Sequence, residues 1–367
     1  MSRVYWREPC GARRGQRAQV GIFYEHMLRP ALHRLDPERS HQATLAFLRA
    51  VQRLPLSYQV TRRLYAYADP RLAFTWKGLT FPSPVGLAAG ADKNAEAPRM
   101  FEAIGLGFVE IGTVTPLAQP GNPKPRVFRL KQEQSLVNRL GFPSKGALKV
   151  SSNLARYATR RVPLGINIGK NASTPMERAA TDYENCLESL YAHGDYFTVN
   201  VSSPNTAGLT SLQSAQSLRD LAARLIAVRS RVSQGRPPKP LLVKLSPDMS
   251  DEQLADAVRA CVESGMDGII ATNTTTEKSL RPERARAWEG GLSGRLLHQR
   301  SLAVVRAVRT HAPKDYFIIG VGGIFGGEDA EAMLNAGADA VQVYTGMVYR
   351  GPGIVKEINR HLARVRR

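Results

Sequence analysis

The chain has 367 residues, of which 43% are hydrophobic and 22% charged, an ordinary globular balance. No run approaches the roughly 20 apolar residues a membrane-spanning helix needs, and three scattered cysteines (Cys10, Cys186, Cys261) fit neither a disulfide framework nor a metal spacing. The outlier is a net charge of +20, which points to an anionic partner: nucleic acid, a phosphorylated ligand or an acidic membrane surface.

Residues 1–21 are rich in arginine and nearly free of acids, with no secretory apolar core. They read as a disordered extension; an organellar-type leader and a start at Met27 are the alternatives. The first 71 residues together hold thirteen arginines, no lysine and five acidic residues. Ile22, Phe23, Met27 and Leu28 cluster ahead of Pro30, which kinks one helix or separates two. Leu45, Leu48, Val51 and Leu54 then recur at near-helical spacing. Residues 22–71 are therefore expected to form a small helical appendage with an apolar face and an arginine rim. Such a face packs on the protein's own core or inserts at a membrane surface.

From Leu72 the pattern changes. Eight short apolar runs alternate with amphipathic stretches: PVGLAAG, FVEIGTV, LGINIGK, YFTVNVSS, LLVKLS, GIIATNT, FIIGVGG and AVQVYTG. Each is apolar on both faces, as a strand covered on both sides must be. Helical segments fill most gaps and several stop at a glycine, such as Gly194, Gly265 or Gly337, where a left-handed cap is cheap. Eight such units over residues 72–367 predict an α/β fold, a (β/α)8 barrel; a doubly wound sheet is the alternative. FTWKGLTFPSP, just before the first run, suggests a hairpin that plugs the barrel bottom.

A barrel of this kind carries its active site at the C-terminal strand ends. Those ends supply Lys93, Thr113, Asn167, Lys170, Asn200, Ser203, Lys244, Thr272, Asn273, Gly322, Gly323, Tyr344, Thr345 and Gly346. The set is polar, poor in carboxylates and free of histidine, which argues against a metal site and against a Ser-His-Asp triad. Glycine-rich ends on the last two strands, with GGLSG at 290–294, suit a phosphate. Asn138, Asn200, Asn205 and Asn273 offer both donors and acceptors, fitting the edge of a planar ligand such as a pyrimidine or flavin.

The strings GLAAGADKN, EIGTVTP, PGNPKPRVFRL, NRLGF, GINIGKN, NVSSPNT, VKLSPD, ATNTT, GGLSG, GVGGI and VYTG resemble, in order, those of dihydroorotate dehydrogenases. The leader RPALHRLDPERSH resembles the helical region of the membrane-associated, quinone-dependent class 2. The resemblance implies an FMN enzyme that oxidises dihydroorotate to orotate for pyrimidine synthesis and passes the electrons to a membrane quinone. It implies that Ser203 takes the C5 proton, with Thr206 and Phe142 shaping a proton relay. By the same matching, Lys93, Asn138, Arg139, Leu140, Gly141, Phe142, Asn200, Asn205, Asn273 and Thr274 bind substrate. Ala89, Gly90, Ala91, Asp92, Lys93, Thr113, Asn167, Asn200, Lys244, Thr272, Gly294, Gly323, Tyr344 and Thr345 bind FMN. The expected location is peripheral, on the cytoplasmic face of the cell membrane against anionic lipid, with no nucleic acid and no obligate protein partner.

Pro143-Ser144, Thr210 and Ala91 depart from the family pattern, which usually has asparagine, arginine and a larger apolar residue there. Two rivals remain. A tRNA dihydrouridine synthase is also an FMN barrel and suits the basic charge, but calls for a cysteine acid and an RNA-binding domain after the barrel. A non-catalytic membrane-peripheral binding protein is the other, yet every expected ligand position holds a competent residue.

Overall fold

A computed structural model describes residues 24–157 and 159–366. The expected extension 1–21, together with Ile22 and Phe23, lies outside the described residues. The appendage begins with a wide π-type turn, Tyr24–Leu28, followed by α1 (Arg29–Leu32) with Pro30 in its first turn. Helix α2 (Pro37–Val51) starts where sequence chemistry says it should. Asp36 caps it by accepting from the N–H groups of Glu38 and Arg39, and Pro37 occupies the first turn. Helix α3 (Ser57–Tyr65) comes next.

These helices dock on the barrel through polar anchors as well as apolar contacts. Glu38 forms an ion pair with Arg126 at 2.6 Å, Arg129 donates to the Leu35 carbonyl, and Tyr58 donates to buried Glu102 at 2.6 Å. Leu45 and Leu48 pack on the main core, while Met27, Phe47, Leu54, Leu56, Val60 and Leu64 stay exposed. The apolar pattern of the appendage thus serves two faces, one turned inward and one left open.

A hairpin of β1 (Phe74–Trp76) and β2 (Leu79–Phe81) precedes the barrel. Trp76 and Phe81 pack with Phe108, Tyr196, Leu242, Ile270 and Phe317, with Trp76 stacked on Phe317 at 4.0 Å between centroids. The hairpin forms the plug that its sequence suggests.

All eight apolar runs are strands of one closed parallel barrel. They are β3 (Val85–Leu87), β4 (Phe108–Val114), β7 (Leu164–Ile168), β8 (Tyr196–Asn200), β9 (Leu241–Leu245), β10 (Gly268–Ala271), β12 (Phe317–Val321) and β13 (Ala340–Val343). The intervening β5 (Val127–Leu130), β6 (Ser135–Asn138) and β11 (Gly291–Gly294) form a separate antiparallel sheet, β11-β6-β5, at the barrel mouth. Sequence periodicity gives no sign of this sheet.

Strand register at the bottom is pinned by a recurring unit. Asp195 accepts from the Leu164 N–H and pairs with Arg160; Asp267 accepts from the Leu241 N–H and pairs with Arg229. Asp339 likewise accepts from the Ile318 N–H and pairs with Arg309. These aspartates directly precede β8, β10 and β13, every second strand around this part of the ring, and recur every 72 residues.

Of the helix-ending glycines, Gly265 (φ 75°) and Gly337 (φ 114°) are left-handed, but Gly194 is not. Its glycine answers to packing, since a Cβ there would stand 3.0 Å from the Phe197 ring. Gly165 is tighter still, with a Cβ placed 2.1 Å from Tyr196 Cζ. Gly165→Ala is expected to destabilise the fold by roughly 1–3 kcal/mol through overpacking. The midpoint of urea unfolding measures this, and an unchanged midpoint would show that the Tyr196 ring yields freely.

Candidate active site

The strand ends and the small outer sheet line a solvent-open pocket whose empty space, solvent at the mouth included, is about 1030 Å³. Lys93 and Lys244 bring the only cationic side chains to its wall among the described residues. Lys93 leaves β3 in a turn and donates to the Gly90 carbonyl at 2.8 Å. Burial lowers its pKa to about 8. Lys244 sits in β9, paired in register with Asn200, and burial also lowers its pKa while Glu110 opposes that shift.

The asparagines converge. Asn138, at the end of β6, accepts from Asn205 Nδ2 at 3.2 Å; Asn200 and Asn273 meet at 3.3 Å. Asn205 also donates its backbone N–H to Ser203 Oγ at 3.3 Å. Ser203 is buried and on the cavity wall, whereas Ser202 turns away to hydrogen-bond with Asn200 and Asn273. The difference is that of strand alternation.

Other expected residues lie at different depths. Ala89, Gly90, Thr113, Leu140, Gly141, Phe142, Thr272, Thr274, Gly294, Gly323, Tyr344 and Thr345 line the cavity. Asn167 lies one layer below, accepting from Thr113 at 2.6 Å and Asn200 at 3.1 Å. Asp92 does not face the cavity, because its carboxylate caps the N–H groups of Glu96 and Ala97. Burial raises its pKa to about 6. Ala91 is buried outside the lining, and the Arg139 side chain runs outward to Glu289 and the Pro125 carbonyl. Thr206 is buried behind the wall, off the lining. Lys170 turns to the carbonyls of Asn171 and Thr174, so its charge is spent on a loop. Ser144 is likewise structural, accepting from the N–H groups of Thr115 and Gly146.

Ser293, within the expected GGLSG segment, stands on the cavity wall, and so does Gln342, which is not among the residues expected from sequence. Gln342 carries a signal: a polar residue in the otherwise apolar run AVQV. Its Oε1 is buried with no hydrogen-bond partner among the described residues, an acceptor awaiting a donor. On the glycine-rich wall, a Cβ at Gly323 would stand 2.5 Å from His298, so only a bare backbone fits (φ 68°). Ser293 and Thr345 hydroxyls meet there at 2.9 Å. An orphaned acceptor, a buried cation and a glycine cradle fit a flavin nucleotide. Barrel and cavity together fit the class of (β/α)8 enzymes that hold a flavin nucleotide at the strand ends.

Known proteins narrow the class to one family. The profile of the family "Dihydroorotate dehydrogenase" matches residues 71–365. A "Dihydroorotate dehydrogenase (quinone)" of Acidithiobacillus ferrooxidans is 46% identical over 340 residues, covering 92% of this chain and 93% of that one. One from Xylella fastidiosa (strain 9a5c) is 48% identical over 337 residues, covering 90% and 93%. Among solved structures, the ligand-free enzyme of Eimeria tenella superposes with a TM-score of 0.80 at 40% identity, covering 90% of this chain and 95% of that one. The chain belongs to the dihydroorotate dehydrogenase family, and its curated relatives carry the quinone-dependent name.

Proposed function

We propose that the chain oxidises (S)-dihydroorotate to orotate with a membrane quinone as final acceptor, and that Ser203 removes the C5 proton. The observation that carries this is the convergence of Ser203, four asparagines and two lysines on one cavity. Bound FMN supplies the two-electron acceptor for the hydrogen leaving C6.

Lys93 and the asparagine amides bind the substrate: the ammonium takes its carboxylate, and the amides match the alternating N–H and C=O groups of its ring. Asn138, Asn200, Asn205 and Asn273 orient one another, so the ring meets a preset edge. Lys244 and Gln342 would hold the cofactor ring, and the Lys244 ammonium would supply positive charge to offset the electrons it gains. The glycine ends with Ser293 and Thr345 would hold its phosphate. Ser203 is a weak base in isolation. Its strength depends on a dry site and a path by which its proton leaves; Phe142, on the wall, and Thr206, just behind it, border that path.

The pKa of Lys93 sets a pH dependence. Below about 8 the free enzyme carries the ammonium that an anionic ligand needs; above it that charge is lost. The orotate Kd is therefore expected to be flat at lower pH and to rise up to tenfold per pH unit above about 8. Flavin-spectral titration with orotate measures it, and a Kd that stays flat to pH 10 would remove Lys93 from carboxylate binding.

No helix among the described residues is long and apolar enough to cross a membrane. The appendage, residues 22–71, is the proposed membrane-contact and quinone-access element, held peripherally on the cytoplasmic face. Its exposed Met27, Phe47, Leu54, Leu56, Val60 and Leu64, with exposed arginines 34, 39, 53 and 63, suit an anionic bilayer surface. Barrel residues 72–367 form the catalytic unit in this reading.

A further inference from the structure

The run FVEIGTV places a glutamate in the middle of a strand that is buried along its whole length. Glu110 is fully buried inside the barrel, between the hairpin plug and the cavity floor. Four side chains from three other strands donate to its carboxylate. Asn167 Nδ2 donates to Oε1 at 2.9 Å. Tyr196 OH (3.1 Å), Thr198 Oγ1 (3.1 Å) and Gln342 Nε2 (2.9 Å) donate to Oε2. We infer that Glu110 is a positioning residue for the reaction: it fixes which way the floor amides face and supplies the counter-charge to Lys244.

Orientation passes upward from Glu110 through the hydrogen bonds. A carboxylate only accepts, so both Asn167 and Gln342 must turn their NH2 groups down to it. Asn167 then presents Oδ1 upward, where it accepts from Thr113 Oγ1 and Asn200 Nδ2. With its own Nδ2 so engaged, Asn200 turns Oδ1 toward Asn273 Nδ2 at 3.3 Å and toward Ser202. Gln342, tied down by Nε2, leaves Oε1 as the unpartnered acceptor beside the cavity. An amide alone has two faces of similar shape; an anion at one end of a chain of amides selects one arrangement for all of them.

Lys244 carries the charge that Glu110 balances. Its ammonium is buried at the cavity wall and makes no hydrogen bond among the described residues. Burial favours losing the proton, and the Glu110 charge favours keeping it. The titratable groups facing Glu110 are Lys244 on β9 and Tyr196 on β8; the other neighbours, on β7, β8 and β13, are Asn167, Thr198 and Gln342. Tyr196 is held neutral by burial and by Glu110 itself. Among the described residues facing Glu110, Lys244 is thus the cation whose charge Glu110 supports.

The inference rests on the proposed reading of the cavity as an FMN site, and Glu110→Gln tests it in the full-length protein. The variant keeps the shape and replaces an acceptor oxygen by a donor. FMN affinity, read by flavin fluorescence, is expected to fall at least tenfold. The midpoint potential of the bound FMN is expected to acquire an added fall with rising pH, as Lys244 loses its proton earlier than in the wild type. Glu110→Asp, which keeps the charge, is expected to retain the wild-type pH profile. A wild-type profile and FMN affinity in Glu110→Gln would overturn the inference.

A thermal double-mutant cycle of Glu110→Gln with Lys244→Met in the apoprotein reads the charge pairing without flavin. Each single change leaves a buried charge unmatched and lowers Tm, whereas the double change restores it toward wild type. Additive losses overturn the pairing, and the cycle decides even where Glu110→Gln alone accumulates poorly. Failure of the wild type to bind FMN would defeat the functional reading instead, and the apoprotein cycle would still decide this one.

Discussion

Replacing Ser203 by alanine is expected to slow dihydroorotate-driven bleaching of the bound flavin by roughly 10²–10⁴-fold, the span of a lost general base. The flavin absorption spectrum should persist, because the groups proposed to hold FMN, Asn200 excepted, lie on other strands and the substitution leaves Asn200 in place. The size of the effect comes from the surroundings of the hydroxyl. Ser203 is 5% exposed and its Oγ accepts one backbone N–H, from Asn205. Among the described residues, no histidine or carboxylate lines the cavity to take its place. Anaerobic stopped-flow at neutral pH measures the step in isolation from any quinone. Bleaching at the wild-type rate would remove Ser203 from the reaction. Ser203→Cys provides the complementary measurement: a thiol ionises far more readily than a hydroxyl, so its rate should climb with pH as thiolate forms.

The second large effect belongs to the appendage. Phe47, Leu54 and Leu56 are 64%, 60% and 67% exposed, on and just beyond α2. Changing all three to glutamate is expected to abolish flotation with anionic vesicles and cut turnover of a bilayer-embedded quinone by more than tenfold. Each side chain forfeits up to roughly 1.5–3 kcal/mol of burial in lipid, and each new carboxylate is repelled by the anionic surface. Bleaching by dihydroorotate should be untouched, since none of the three lines the cavity. That contrast is the discriminating feature. Equal vesicle binding by variant and wild type would refute the membrane role, and a parallel loss of bleaching would mean that the change had damaged the fold instead.

The barrel is legible in the sequence because its strands are covered on both faces and so appear as uninterrupted apolar runs. The hairpin plug is equally plain from its aromatic residues flanking Lys77-Gly78. The outer sheet is not. VFRL, SLVN and GLSG are short and mixed, and β11 finds β6 across some 150 residues of chain, a pairing no local pattern encodes. Within the site, residues at strand ends can be picked out, but depth cannot. Asn167 and Thr113 share a sequence signature, yet one lies beneath the other. Asp92 and Lys170 sit where ligand contacts are expected and are engaged by nearby backbone instead, which depends on loop geometry. Glu110 and Gln342 stand out as polar letters in apolar strands, but only the closed barrel, which joins β13 to β3 and β3 to β4, brings them within 2.9 Å of each other.

The three Arg–Asp pairs at the barrel bottom bear on how such a chain tolerates change. Each pins one strand to its neighbour independently, at three places around a single ring. A slip of one residue anywhere would have to break an ion pair and strand a buried N–H. Register is thereby decided on the face opposite the chemistry. Loops at the mouth can then lengthen, shorten or exchange residues without disturbing the shear that holds the strand ends in place. Shaping the rim and keeping the framework become separate problems, solved at opposite ends of the same strands.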